Sequence, residues 1–201
     1  MKIGILGGTF NPIHIGHLLL AENSYYALNL DSVIFMPSGI SYLKNQNEIA
    51  ASDHRINMVK LAIADNSHFK LSTMETERKG NTYTYETLSA LKSQNTQDEL
   101  YFIGGADTLM NIESWKCPEL IFKYAALIIA PRNFLDSKVL TGKAELLKSK
   151  YNADVYILDT PNIEISSSYI RENIKDNNSL RYLLPDKVIE YIRQNNLYKD
   201  F

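Results

Sequence analysis

Six short, mostly unalternated apolar runs, separated by longer amphipathic stretches, constrain this chain more than any other feature. They lie at residues 2–6 (KIGIL), 33–36 (VIFM), 69–71 (FKL), 100–103 (LYFI), 125–130 (AALIIA) and 155–158 (VYIL). Runs of this length are strands rather than helices, and apolar residues on both faces mean that the strands are covered on both sides. Residues 15–28, 52–65, 85–92, 137–150 and 186–195 between and after them read as helices, with Ser52–Asp53 as a cap and Pro185 in a first turn. Strand alternating with helix means βαβ units and a parallel sheet.

The expected fold is therefore α/β, a Rossmann-like doubly wound parallel sheet flanked by helices, with a C-terminal helical segment. The 201 residues fit one domain spanning 1–201. A single cysteine, Cys117, excludes an internal disulfide and a Cys-rich zinc module, and fits a reducing cytoplasm. The 21 basic and 23 acidic residues give a net charge of −2, which argues against a protein that coats nucleic acid. No run approaches the ~20 apolar residues of a bilayer span, so a membrane is not an expected partner. The sequence leaves the oligomeric state open and is compatible with a homodimer.

In such sheets ligands bind beyond the carboxyl ends of the strands, so the turns that follow each run carry the functional reading. The first is Gly7-Gly8-Thr9-Phe10-Asn11-Pro12-Ile13-His14-Ile15-Gly16-His17. Adjacent glycines allow a tight turn and a close backbone approach, leaving N–H groups for an anion at a helix start. His14 and His17 are three apart, so both fall in the first helical turn and can donate to phosphate oxygens. Gly16 leaves room for a nucleotide. A metal half-site would need a third ligand, and none stands nearby in sequence. Neither a Walker A loop nor G-x-G-x-x-G is present.

A second polar turn follows the last apolar run: Ile165-Ser166-Ser167-Ser168-Tyr169-Ile170-Arg171. Ser166 or Ser167 can cap a helix and form a second anion site, with the always-charged fork of Arg171 on the same face as Ser167. Two anion sites over one crevice suit a nucleoside triphosphate. They also suit group transfer to a phosphate, which is already a nucleophile at neutral pH and needs no general base. Catalysis then rests on in-line positioning and on neutralising the charge that develops.

Taken together, GTFNPIHIGH and the ISSS-x-I-R segment resemble the T/HxGH nucleotidyltransferase superfamily, and most closely its bacterial nicotinate-nucleotide adenylyltransferase family. The resemblance runs nearly end to end. It implies adenylyl transfer from ATP to nicotinate mononucleotide, with magnesium carried by ATP and no protein side chain needed as a metal ligand. It implies that His14, His17 and Arg171 are catalytic, and that Gly7, Gly8, Thr9, Phe10, Gly16, Ser166, Ser167 and Ile170 join them around ATP. Ser168 stands where threonine is commoner and keeps the hydroxyl.

Acceptor residues are implied by further matches. Lys44, in the polar 37–51 loop, sits where the family has a P-P-H-K lysine, though only the lysine survives here. Tyr83 and Thr84 belong to a TYTYET segment similar to the family's SYTxDT and would line the nicotinate pocket. Gly104 and Asp107 follow the fourth run, and Asp107 can accept from a ribose hydroxyl. Trp115 completes a GADxL…W match in which the indole stacks on the pyridine ring. Arg132 matches the arginine of an R-P-G element, with Asn133-Phe134 replacing Pro-Gly. Competing readings are a phosphopantetheine adenylyltransferase, a glycerol-phosphate cytidylyltransferase, an aminoacyl-tRNA synthetase without room for a tRNA-reading domain, and a nucleotide sensor that does not turn over.

Overall fold

The computed structural model describes residues 1–39, 49–131, 137–160 and 165–199. Six strands form one parallel sheet: β1 (Lys2–Gly8), β2 (Ser32–Pro37), β3 (Phe69–Leu71), β4 (Glu99–Gly105), β5 (Ala125–Ala130) and β6 (Val155–Ile157), in the order β3-β2-β1-β4-β5-β6. The register sets Ile5 beside Ile34 on one side and Phe102 on the other. The order reverses between β1 and β4, and this switch point opens a crevice at their carboxyl ends.

Alternate residues of the central strands β1, β4 and β5 feed two separate cores. Leu6, Val33, Phe35, Ile103 and Ile128 pack on one face, with Ala21 of α1 (Ile15–Leu28), Met58 and Val59 of α2 (Ser52–Ile63), Ile170 of α8 (Ser167–Lys175) and Val188 and Ile192 of α9 (Asp186–Gln194). Ile5, Leu100, Phe102, Leu127 and Ile129 pack on the other, with Leu88 of α4 (Thr84–Gln94), Leu109 of α5 (Ala106–Asn111), Ile121 of α6 (Pro118–Tyr124) and Leu140 and Leu147 of α7 (Ser137–Tyr151). The period of two along a strand, with both faces covered, explains why the apolar runs do not alternate.

Three short helical pieces depart from the expectation. α3 (Met74–Glu77), α5 and α6 are four, six and seven residues long, too short to display a periodic apolar stripe. α6 starts at Pro118 directly after Cys117, whose backbone is left-handed at φ 49°. Ser166, rather than Ser167, caps α8, accepting from the Tyr169 N–H at 3.1 Å.

Leu127 is fully buried in the centre of the second core. Leu127→Ala is expected to cost about 2–5 kcal/mol, read as a lower denaturant midpoint. Val139→Ala on the exposed side of α7, where the side chain is 44% accessible, should stay within about 0.5 kcal/mol.

Candidate active site

A cleft of about 350 Å³ opens at the switch point between β1 and β4, the size of a small-molecule site. One wall is the end of β1 and the turn after it, contributing Gly7, Gly8 and Thr9, with His17 above it. The opposite wall is Tyr83 and Thr84 at the start of α4, and Trp115 beyond α5. Gly104 and Asp107 form the floor and rim after β4. Nine residues expected at the site from sequence thus meet in one place.

The turn after β1 is fixed by its carbonyls. Arg55 of α2 donates from Nη1 to the Thr9 carbonyl at 2.8 Å, and Arg171 of α8 donates from Nη1 to the Asn11 carbonyl at 3.0 Å. The Ser167 hydroxyl donates to the Pro12 carbonyl at 2.9 Å. Asn11 Oδ1 in turn accepts from the Ala50 N–H at 3.0 Å. The two sequence signatures, more than 150 residues apart, are therefore in direct contact. Phe10 is left-handed (φ 47°), with its ring buried against His17 at 5.0 Å and Phe35 at 6.0 Å.

His14 is the N-cap of α1, and His17 stands in its first turn, with ring centroids 3.7 Å apart. The His14 N–H donates to His17 Nδ1 at 3.2 Å. With Nδ1 accepting, a neutral His17 carries its proton on Nε2, which makes the remaining ring nitrogen a donor. The equivalence implied for the two histidines is not what the structure presents. His17 lines the cleft, whereas His14 is only 2% accessible and packs beneath it. The same burial distinguishes the implied ATP contacts. Phe10, Gly16 and Ile170 are buried, and the Ile170 N–H donates to the Ser166 carbonyl at 3.1 Å. Neither the side chain nor the N–H of Ile170 is therefore open to a ligand. Ser166, Ser167 and Arg171 lie beside the β1 turn and outside the cleft lining. Lys44 and Arg132 lie outside the described residues.

Sequence reasoning missed Arg55 and Glu75. The signal for Arg55 was its position three and four residues before Met58 and Val59, on the buried stripe of α2. Burial pulls its pKa below the ordinary value, yet a guanidinium remains charged at neutral pH. Glu75 of α3 lines the cleft and accepts from the Thr87 hydroxyl at 2.8 Å. Desolvation raises its pKa, opposed by hydrogen bonds from Thr87 and Thr82 and by the charge of Arg78. No sequence signal marked it, because its helix is a single turn.

A cytidylyltransferase-like family model matches residues 5–173. The chain is 43% identical over 197 residues to a probable nicotinate-nucleotide adenylyltransferase of Lachnoclostridium phytofermentans, covering 98% of both chains. It is equally similar, at 43% over 198 residues, to the protein of that name in Clostridium perfringens, again with 98% of each covered. The chain belongs to the nicotinate-nucleotide adenylyltransferase family. Its fold is similar to that of Plasmodium falciparum nicotinic acid mononucleotide adenylyltransferase complexed with NaAD, at a TM-score of 0.81 and 25% identity over 98% of this chain and 97% of that one. A Vibrio parahaemolyticus protein described as a putative nicotinate-nucleotide adenylyltransferase, 18% identical, shares the fold at a TM-score of 0.70 with 100% and 96% covered.

Within this family member, two local predictions follow from burial. Because the folded Glu75 binds its proton more tightly than the unfolded chain does, stability falls as pH rises from the unfolded value of 4.5 through the higher folded value. Thermal melts of Glu75→Gln across pH 4 to 7 should lack that fall; an unchanged slope would assign it to another group. His14→Ala should lower thermal stability more than His17→Ala, because only the first empties a buried position. Equal melting temperatures for the two variants would contradict the burial argument.

Proposed function

We propose that the protein transfers the adenylyl group of ATP to nicotinate mononucleotide, giving nicotinate adenine dinucleotide and pyrophosphate in NAD biosynthesis. It is an enzyme acting on small molecules, and we assign it to the cytoplasm. The observation that carries this reading is the convergence of the two signatures: Arg171 and Ser167 grip the turn after β1, at the mouth of a cleft whose far wall is Tyr83, Thr84 and Trp115.

The chemistry follows from those groups. A phosphate oxygen of the acceptor attacks the α-phosphorus as the bond from that phosphorus to pyrophosphate breaks, and negative charge accumulates on the leaving side. No carboxylate–histidine dyad is needed, since the nucleophile is already ionised. The need is for donors that do not reorganise. His17, through Nε2–H, and the turn that follows β1 adjoin the cleft for that role, with the charge of Arg171 beside that turn. The positive end of α4, at Tyr83 and Thr84, borders the same cleft and favours polyanions. Magnesium enters with ATP as part of the substrate and neutralises triphosphate charge.

Acceptor choice rests on the start of α4. Glu86 and Thr87 donate to the Tyr83 carbonyl, which leaves the N–H groups of Thr84 and Tyr85 as first-turn donors not used within the helix. A nicotinate carboxylate satisfies such donors, whereas an amide NH₂ would set donor against donor. Trp115 stands edge-on to Phe102, with ring centroids 5.8 Å apart, and offers an indole to a ring of either acceptor.

With magnesium, purified protein is expected to release pyrophosphate from ATP and nicotinate mononucleotide. Release with phosphopantetheine instead would overturn the assignment. The acid should be preferred over nicotinamide mononucleotide by several orders of magnitude in kcat/KM, as expected for a mismatched polar pair in a closed site. Trp115→Ala should weaken both acceptors alike. His17→Ala should lower kcat by about 10²–10³, the usual effect of losing one transition-state donor.

A further inference from the structure

Arg55 is a charged side chain on the buried face of a helix, 4% accessible and neighbouring Met58 and Val59. Its partners are backbone carbonyls: Nη1 donates to Thr9 at 2.8 Å and Nε to Ala50 at 3.1 Å. No carboxylate pairs with it among the described residues. A buried cation held only by carbonyl dipoles is costly unless another charge compensates it. A second guanidinium, Arg171, holds the same turn from α8 at Asn11, so two positive charges flank it. Tyr198, buried where both arginines act on it, presents a neutral phenol, because burial holds its pKa up.

The peptide that Arg55 grips is also the strained one. Phe10 follows it at φ 47°, a region that bulky residues rarely occupy and that persists where the surroundings impose it. The Thr9–Phe10 peptide is trans, so its carbonyl and N–H point in opposite directions. With the carbonyl drawn to Arg55, the Phe10 N–H faces away from it, and no acceptor among the described residues takes that N–H. Thr9 and its two preceding glycines line the cleft.

We propose that Arg55 is a positioning residue for the anion site. It draws the Thr9 carbonyl inward, turns the Phe10 N–H outward as an anion donor, and sets beneath the turn a buried positive charge that a bound polyphosphate compensates. The inference rests on reading this turn as the triphosphate site. It adds a residue that touches neither substrate yet governs affinity for one of them. Nicotinate mononucleotide, bound against Tyr83, Thr84 and Trp115, is outside its reach.

The test uses the full chain, with inorganic triphosphate and nicotinate mononucleotide titrated separately by calorimetry. Arg55→Met should raise the Kd for inorganic triphosphate by at least about tenfold, the scale of one lost hydrogen-bonded charge. The Kd for nicotinate mononucleotide should stay within about twofold, and kinetics should show a raised KM for ATP but not for the acceptor. Arg55→Lys keeps the charge but loses the planar fork, and should fall between the two. Wild-type triphosphate affinity in either variant would overturn the proposal. So would parallel loss of both ligands in step with a lower Tm, which would make Arg55 a structural prop. If Arg55→Met does not fold, Arg55→Lys decides by the same criteria. Absence of triphosphate binding to the unaltered protein would also overturn it. Unaltered protein that binds inorganic triphosphate but releases no pyrophosphate from ATP and nicotinate mononucleotide would sink the adenylyl-transfer reading alone, leaving Arg55 to be judged by the titration.

Discussion

The carbonyls of Thr9, Asn11 and Pro12 are all drawn into the protein by side chains from distant helices. Arg55 takes the first, Arg171 the second and Ser167 the third. A turn left to itself would direct such groups to water. Here each is bound by a guanidinium or a hydroxyl donor, and the turn cannot relax without breaking several bonds at once. The left-handed Phe10 and its buried ring depend on that fixation, and so does the path by which the chain enters α1. The first helical turn, with His14 as cap and His17 above the cleft, is placed by the same bonds.

The sheet supplies the frame. β1 sits centrally, paired with β2 and β4, and both neighbours are parallel to it. Its carboxyl end is therefore held on two sides while its faces are covered by different cores. α2 and α8 belong to the same layer as α1, which is why residues from both can reach the underside of one turn. The opposite wall of the cleft belongs to the other layer, through α4 and the segment around Trp115. The two walls of the cleft are thus divided between the two faces and meet at the switch point.

Much of this was legible in the sequence. The six strands, their parallel pairing and the importance of the β1 turn follow from unalternated apolar runs and a Gly-Gly step, which local physics dictates. The sequence leads one to expect the ISSS segment and the first turn over one crevice as two anion sites; the structure brings them into contact through Ser167 and Arg171, neither of which lines the cleft. The bonds that make the contact were not legible, since main-chain carbonyl partners leave no sequence mark. His14 and His17 looked equivalent because spacing reports face and not depth; the structure buries His14 and leaves His17 half-buried at the cleft. α3, α5 and α6 were too short to show a period, and Glu75 was hidden with the first of them. Arg55 was visible as a charge on an apolar stripe, which by itself says only that something unusual compensates it.

The His14 N–H donates to His17 Nδ1, which leaves Nε2 of the neutral ring as its donor at the cleft. Long-range ¹H–¹⁵N correlation spectra of the histidine rings at neutral pH in the free protein test it directly. His17 is expected to be the Nε2–H tautomer, with an unprotonated Nδ1. A ring protonated at Nδ1 in the free protein would place a lone pair where a donor is required, and would contradict it.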